Sequence, residues 1–329
     1  MNPHEPFMRR ALELARRGEG LTRPNPPVGA VLVRGGKILA EGFHKRAGGA
    51  HAEVNCLKNF SGSVKNTTLY ISLEPCSTHG RTPPCTDLIL ERGIKRVVIA
   101  TRDPNPAHAG RGIRLLRRAG VEVVTGVCRD EANELIMPFT KRILAGIPFV
   151  TLKLGATLDG RIADETGKSK WITGEASREY VQDLRRRVDA IMVGAGTVRA
   201  DDPSLLPRPA KGRAPLRVIV GRKVPAASKV LTDEAAERTI VTHAPIEKIM
   251  HDLAERGVMH VLCEGGGVLA GELFRSGFVD EMLIFIAPAI LGGGGVPMFG
   301  KEGWLLDDMP ILDFKSVEQV GEDILIRVK

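Results

Sequence analysis

The sequence predicts two consecutive α/β domains, and three observations carry that expectation. At 329 residues the chain is long for one ordinary domain and comfortable for two. Strand-like runs alternate with helical apolar spacing along its whole length. Gly146-Ile147-Pro148 breaks that pattern near the middle, so domains are expected over 1–146 and 147–329.

Taken in order, residues 5–18 have helical spacing and stop at Gly18. A loop, TRPNPP at 22–27, leads into a hairpin over 28–44 that turns at Gly35-Gly36. Helix at 50–59, strand at 66–74, helix at 85–93, strand at 95–101, helix at 112–120 and strand at 121–126 follow, then one helix from about Asp130 to Ala145. The second half opens with a strand at 148–157 and a loop through Gly167, and 175–187 reads as helix. DAIMVGAG at 189–196 reads as strand then turn, and further strands are expected at 216–221, 238–243, 259–265, 280–288 and 323–328. The Pro-rich stretch 201–215 must be loop. There is no internal repeat.

Composition narrows the function classes. Hydrophobic residues make up 43% and charged residues 26%, the balance of a globular protein. No apolar run reaches the roughly 18 residues of a membrane span, and the N-terminus lacks a signal-peptide pattern, so a cytoplasmic protein without membrane contact is expected. The net charge of +8 comes from scattered residues, and aromatics are only 4% of the chain, so an anionic small substrate is favoured over nucleic acid. Five cysteines, an odd number, argue against a disulfide framework and for metal binding where they cluster.

The strongest chemical signal is His51-Ala52-Glu53 with Pro75-Cys76 and Cys85. Hydrolytic deamination of an aromatic ring needs a nucleophile at neutral pH, and a zinc ion brings the pKa of a water to about 7. One imidazole and two thiolates, His51, Cys76 and Cys85, leave a fourth position open. Glu53, two residues from His51, is then the carboxylate that shuttles protons without ligating. His51 and Cys85 each open a predicted helix, whose N-terminus favours thiolate over thiol. Cys56, five residues after His51, falls on another face of that helix and reads as a buried structural thiol, as do Cys128 and Cys263. The spacing is unusual: eight residues, STHGRTPP, separate the cysteines where the deaminase signature has two. The insertion suits substrate contact.

The second half carries no GxGxxG after its first strand. It does carry Val193-Gly194-Ala195-Gly196-Thr197, Glu264-Gly265-Gly266-Gly267 and four glycines at 292–295, each either a tight turn or a close approach to phosphate.

HAE, LEPCSTHGRTPPC, RDPNP at 102–106, GRG at 110–112 and the upstream PNPPVG closely resemble the deaminase half of the bifunctional deaminase–reductases of riboflavin biosynthesis. LKLGATLDGRIA, SKWITG, VGAGTVRADDPSL, EGGG and IAPAILGG are similar to that family's reductase half, so the resemblance covers nearly the whole chain. It implies a cytidine-deaminase-like α/β/α layer domain followed by a dihydrofolate-reductase-like mixed-sheet domain. It also implies zinc and NADPH as cofactors.

Carried over by position, Asn25, His44, His79 and Arg81 meet the pyrimidine substrate, with plain loop residues as the alternative for the last three. Gly155, Trp171, Thr197, Asp201 and the turn through Gly266, Gly267, Val268, Leu269, Ala270, Gly271 and Glu272 hold the cofactor. Ser169, Arg185, Leu205, Arg208 and Glu264 meet the sugar phosphate, for which an arginine fork is suited. Arg185, within Arg185-Arg186-Arg187, could equally lie on a solvated helix face, and Glu264 could cap the following helix. Asp201 is also the candidate for proton handling. Many relatives have Asp-Ser after LRVIV, and this chain has Gly221-Arg222; Arg222 is an alternative contact for the cofactor's 2′-phosphate.

The resemblance implies deamination of 2,5-diamino-6-ribosylamino-4(3H)-pyrimidinone 5′-phosphate and then reduction of the ribosyl chain, by an enzyme expected to be a homo-oligomer. A tRNA-editing zinc deaminase with an accessory binding domain would explain the charge and HAE, but not the spacer or the glycine-rich half. A binding module with a purely structural zinc would not need Glu53.

Overall fold

Gly146, left-handed at φ 71°, ends the last N-terminal helix, and a computed structural model of the chain divides there into two compact units, Met1–Gly146 and Ile147–Lys329. The structure describes residues 2–79, 83–210, 213–300 and 303–329. Among the described residues, no helix is long and apolar enough to cross a membrane.

The first unit runs α1 (Glu5–Arg16), β1 (Gly29–Arg34), β2 (Lys37–Phe43), α2 (Ala52–Lys58), β3 (Thr68–Leu73), α3 (Cys85–Glu91), β4 (Arg96–Thr101), α4 (Arg111–Arg118), β5 (Glu122–Thr125), α5 (Arg129–Leu135) and α6 (Met137–Ala145). Its five strands lie in the order β2-β1-β3-β4-β5, antiparallel across β2-β1-β3 and parallel from β3 to β5. Successive side chains alternate faces. Leu32, Leu69, Ile71, Val97 and Ile99 therefore pack with Cys56 and Leu57 of α2, Ile89 of α3 and Leu116 of α4. Val31, Val33, Tyr70 and Val98 pack on the other face with Met8 and Leu12 of α1 and Leu135 of α5. This is the three-layer arrangement expected. The single helix expected to about Ala145 is instead two, α5 and α6. Pro138, in the first turn of α6, has no N–H to donate back and its ring crowds the carbonyl four residues earlier, so the helix restarts there.

The second unit runs β6 (Phe149–Thr157), β7 (Arg161–Ala163), α7 (Glu175–Arg187), β8 (Ala190–Gly194), α8 (Ala195–Asp201), β9 (Leu216–Val220), α9 (Lys229–Thr232), β10 (Thr239–Thr242), α10 (Ile246–Glu255), β11 (His260–Cys263), α11 (Gly267–Arg275), β12 (Glu281–Ala287), β13 (Val296–Pro297), β14 (Phe314–Val320) and β15 (Asp323–Val328). Eight strands form a mixed sheet ordered β10-β9-β8-β11-β6-β12-β15-β14, parallel as far as β12 and antiparallel beyond it. Helices α10 and α11 cover one face through Ile249, Met250, Leu253, Ala270 and Leu273. The other face is covered through Val181 of α7, Val198 of α8 and Val230 of α9. The layering follows the resemblance, with three local differences. Residues 189–196 pass from strand directly into α8 with no intervening turn. The expected loop after β6 contains β7, which pairs with β13 in a separate two-stranded ribbon. Helices α9 and α10 and edge strand β14 were not anticipated from the sequence.

Candidate active sites

In the first unit, α2 sits directly on β2. A Cβ on Gly42 would lie 2.2 Å from the Cys56 nitrogen and 2.6 Å from the Ala52 carbonyl oxygen, so only glycine permits this approach. The approach fixes the start of α2. His51 is its N-cap residue, and Glu53 lies in its first turn, 3% exposed. Cys85 begins α3 after Pro83-Pro84, and Cys76 follows β3.

The His51 imidazole, the Cys76 thiol and the Cys85 thiol offer ligand atoms that all lie within 4.8 Å of one another. His51 Nδ1 is 3.3 Å from Cys85 Sγ and 3.5 Å from Cys76 Sγ, and the Cys85 backbone N–H donates to Cys76 Sγ at 3.3 Å. The hydrogen bond from Cys85, aided by His51, holds Cys76 low, while Cys85 is pushed up. One imidazole with two thiols, one of them already inclined to ionise, is the donor set of zinc, and the residues fit the metal.

Burial, with the Cys76 charge, raises the Glu53 carboxyl to about 7, and it lies within hydrogen-bonding reach of Cys85. Cys56 is apart from this cluster: its thiol donates to the Ala40 carbonyl at 3.5 Å, and burial pushes it up to about 12.

His44 is 2% exposed, stands edge-on to His51 at 5.5 Å between ring centroids, and sits with Asn25 Nδ2 3.4 Å from its Nε2. Its Nδ1 lies 3.0 Å from the Ala50 carbonyl oxygen. The structure thus brings Asn25 and His44 to the cluster. His79 is exposed at the end of the described part of the insertion, and Arg81 lies outside the described residues.

Sequence reasoning missed Glu74. Its buried carboxylate accepts from the backbone N–H groups of Asp103 (3.2 Å), Gly110 (2.8 Å) and Ile113 (3.1 Å). It ties the Pro75-Cys76 corner to the RDPNP and GRG segments. A Cβ on Gly112 would lie 2.3 Å from the Pro75 carbonyl oxygen, which gives the second glycine of GRG its reason.

In the second unit a cavity of about 1000 Å³ opens at the C-terminal ends of β6, β8 and β11. Its wall includes Gly155, Ser169, Trp171, Arg185, Thr197 and Asp201. Leu205, Arg208, Glu264 and Gly266 through Leu269 complete the predicted set that lines it. Ala270 and Gly271 are buried on the inner side of α11 and Glu272 is exposed; none of the three is on the wall.

Gly265 and Gly266 turn the chain at φ 86° and 31°. Gly267 and Gly271 are glycines for packing: a Cβ on either would lie 2.4 Å from a carbonyl oxygen, of Pro297 or Phe299 respectively. Gly265, Gly266 and Gly267 thus bring side-chain-free backbone to the cavity at the start of the nine-residue α11, where N–H groups can receive phosphate. A cavity of this size with that cradle fits a dinucleotide.

Arg185 and Glu264 form a two-point ion pair, Nε–Oε1 2.6 Å and Nη2–Oε2 2.8 Å, with side chains 14% and 10% exposed. Arg185 is therefore not on a solvated face, and Glu264 does not cap α11. Burial pushes the Glu264 carboxyl up, but the Arg185 charge and hydrogen bonds, with the Lys153 charge, together outweigh it and hold the group below its usual range. Ser169 Oγ donates to Asp201 at 3.0 Å. Lys153, on the cavity wall, was also missed; burial lowers its ammonium, with Glu264, Arg185 and Asp323 as the nearest charges. The signal was a lone charge in the apolar strand β6.

Residues 1–101 match the family described as the cytidine and deoxycytidylate deaminase zinc-binding region, and residues 148–326 match the RibD C-terminal domain. The riboflavin biosynthesis protein RibD of Bacillus amyloliquefaciens is 45% identical, covering 97% of this chain and 94% of that protein. The Escherichia coli K12 protein of the same name is 38% identical, covering 98% of each. A solved diaminohydroxyphosphoribosylaminopyrimidine deaminase/5-amino-6-(5-phosphoribosylamino)uracil reductase from Thermotoga maritima is 39% identical, with a TM-score of 0.91 over 99% of this chain and 98% of that one. A RibD structure from Acinetobacter baumannii is 35% identical with a TM-score of 0.90 over the same shares.

Proposed function

The chain belongs to the RibD family of bifunctional riboflavin-biosynthesis enzymes, and from that premise we propose that its two units catalyse consecutive steps on one phosphorylated pyrimidine. The first unit, 1–146, deaminates 2,5-diamino-6-ribosylamino-4(3H)-pyrimidinone 5′-phosphate. The second, 147–329, reduces the ribosyl chain to give 5-amino-6-ribitylaminouracil 5′-phosphate. The observation that carries this reading is the buried Glu53 carboxyl beside the His51, Cys76 and Cys85 cluster.

In the deaminase unit, His51, Cys76 and Cys85 hold zinc, which supplies Lewis-acid activation of water at neutral pH. Glu53 takes a proton from the attacking water and delivers it first to the ring and then to the departing amine. A carboxyl raised to about 7 both accepts and returns a proton at neutral pH. Asn25 and His44 orient the pyrimidine beside it. His79 and Arg81 belong to the insertion proposed to face the substrate.

In the reductase unit, NADPH supplies the hydride. Gly155, Trp171, Thr197 and the glycine turn into α11 form its bed, with Ala270, Gly271 and Glu272 supporting the turn from within the helix. Arg208, exposed at the cavity rim, meets the substrate phosphate with Ser169 and Leu205 nearby. The paired Arg185 and Glu264 line the same cavity and meet the substrate there, and Lys153 adds a positive charge beside them for an electron-rich atom of the substrate. Asp201 handles the proton that accompanies the hydride.

The substrates are small molecules, with no nucleic acid or membrane involved, in the cytoplasm. A homo-oligomer is part of this reading. Support comes from Phe314 and Val317 on edge strand β14, 71% and 62% exposed.

The test is a paired assay with the diaminopyrimidinone substrate and NADPH. Ammonia release should precede NADPH oxidation, and separately supplied deaminated intermediate should be reduced without ammonia release. Failure of either half-reaction would refute the assignment of that unit.

A further inference from the structure

Strand β9 carries one charge in an apolar run, Leu216-Arg217-Val218-Ile219-Val220. Alternation sends Arg217 to the same face as Ile219, the face covered by α8 and α9. Its side chain is fully buried, at 0% exposure. Arg217 Nη1 donates to the Asp233 carboxylate at 2.6 Å and to the Ser204 carbonyl at 2.9 Å. Nη2 donates to the other Asp233 oxygen at 2.8 Å and to the Val230 carbonyl at 3.0 Å. Those hydrogen bonds hold the Asp233 carboxyl below its usual range. An apolar pair of similar volume would fill the space with equal or better stability. What the guanidinium adds is direction: it ties α9 and the loop that follows α8 to fixed points on β9.

That loop lies on the cavity wall, through Asp202, Ser204, Leu205 and Arg208. Two of these residues have left-handed backbone without being glycine, Asp202 at φ 39° and Leu205 at φ 61°. A Cβ makes this conformation less favourable by roughly fivefold to thirtyfold, so it persists only where contacts enforce it. The Asp202 carboxylate accepts the Lys229 backbone N–H at 2.8 Å, at the start of α9. The Ser204 carbonyl belongs to the peptide plane from which the Leu205 φ turns, and Arg217 holds that plane. The Leu205 side chain, on the other side of the rotation, is anchored among Val198, Ile219 and Val230. Arg208 follows in register, its backbone N–H donating to Gln182 Oε1 at 2.8 Å.

We propose that Arg217, braced by Asp233, is a positioning residue for the reduction step: from behind the wall it holds the Ser204–Leu205 turn in the form that receives the sugar phosphate. The proposal rests on reading Leu205 and Arg208 as substrate contacts. Without the brace the turn relaxes, and only a fraction of molecules presents the competent wall. Apparent affinity falls by that fraction. Substrate once bound selects the competent turn, so the rate at saturation is kept.

The experiment is steady-state reduction of the deaminated intermediate by the full chain, Arg217→Met, Arg217→Met/Asp233→Leu and Arg217→Lys. NADPH affinity by fluorescence and urea unfolding are measured on the same preparations. Arg217→Met should raise the KM of the intermediate by roughly fivefold to thirtyfold, leave kcat and NADPH affinity within about twofold, and leave deamination untouched. It should also lose stability, because Asp233 is left without its partner. The double variant replaces the pair with apolar side chains and should regain stability while its KM stays raised. A merely structural pair would recover both. Arg217→Lys keeps a charge opposite Asp233 but has no fork to hold both carbonyls, so it should raise KM by a smaller factor. A KM within about twofold of the unsubstituted value in the double variant, or in Arg217→Lys should the double variant not fold, would overturn the proposal. So would a folded double variant in which kcat, KM and NADPH affinity worsen in step. Absence of reduction by the unsubstituted chain would overturn the reading of the second unit, and the proposal with it.

Discussion

Replacing Glu264 by leucine isolates the role of the Arg185–Glu264 pair. The two side chains meet at 2.6 and 2.8 Å and are only 14% and 10% exposed, so solvent cannot compensate the arginine once its partner is gone. Breaking such a buried pair from one side costs about 3–5 kcal/mol. The Arg186 pair on the same helix, with Asp183, has one partner 54% exposed and belongs to the class worth about 1 kcal/mol or less. Glu264→Leu should therefore destabilise the reductase unit by about 3–5 kcal/mol, and adding Arg185→Met should recover most of the loss, because the second charge no longer lacks a partner. Urea unfolding followed by tryptophan fluorescence reads this unit selectively, since the only tryptophans, Trp171 and Trp304, both lie in it. A single-variant cost under about 1 kcal/mol would refute the reasoning and return Arg185 to a free phosphate fork.

Cys85→Ala should lose bound zinc by elemental analysis and Cys56→Ala should keep it; a Cys85→Ala protein with full zinc would remove that ligand. Glu53→Gln should retain zinc and lower deamination by roughly 10²–10⁴-fold, with reduction of supplied intermediate intact; substantial surviving deamination with zinc bound would exclude Glu53 as the proton carrier. His260, held at about 4 by burial against an ordinary 6.5, binds its proton more readily in the unfolded chain. Its contribution is therefore full above pH 6.5 and lost as pH falls towards 4, by at most about 3 kcal/mol. His260→Gln should flatten the acid limb of a stability–pH curve, and an unchanged limb would show that other groups set it.

The parts of the fold and the deaminase cluster that the sequence announced are those written locally. His51 and Cys85 each stand at a strand-to-helix junction, where Gly48-Gly49 and Pro83-Pro84 mark the change of period. The structure needs only Gly42 beneath α2 and Glu74 beneath Pro75 to bring those junctions together. Neither support was legible, because Gly42 acts on the backbone of the helix packed over it and Glu74 on backbone N–H groups in the distant segment from Asp103 to Ile113. The division of 130–145 into two helices was missed for a different reason. Apolar spacing continues through Leu135, Phe139 and Leu144, and periodicity does not register a proline that sits comfortably in a first turn.

The reductase cavity was legible as a set of positions but less so as a set of causes. Gly265, Gly266 and Gly267 are adjacent, yet two are glycine for backbone rotation and the third because the Pro297 carbonyl lies 2.4 Å from any Cβ it might carry. A glycine-rich string therefore records several constraints at once, of which phosphate approach is a consequence: the segment 297–300 strips side chains from the start of α11, and the bare helix end then faces the cavity. Arg185 shows the same distinction. Its place in Arg185-Arg186-Arg187 suggested either a phosphate fork or a wet helix face, and only the strand β11 that delivers Glu264 decides between these and a third state, a buried partner. Lys153 completes the case, since strand alternation counts it as an interruption whereas the folded sheet turns it towards the same acid. The charges that matter here are assembled by pairing among β6, β8 and β11 and by α7, which carries Arg185, and no window of sequence contains all of them.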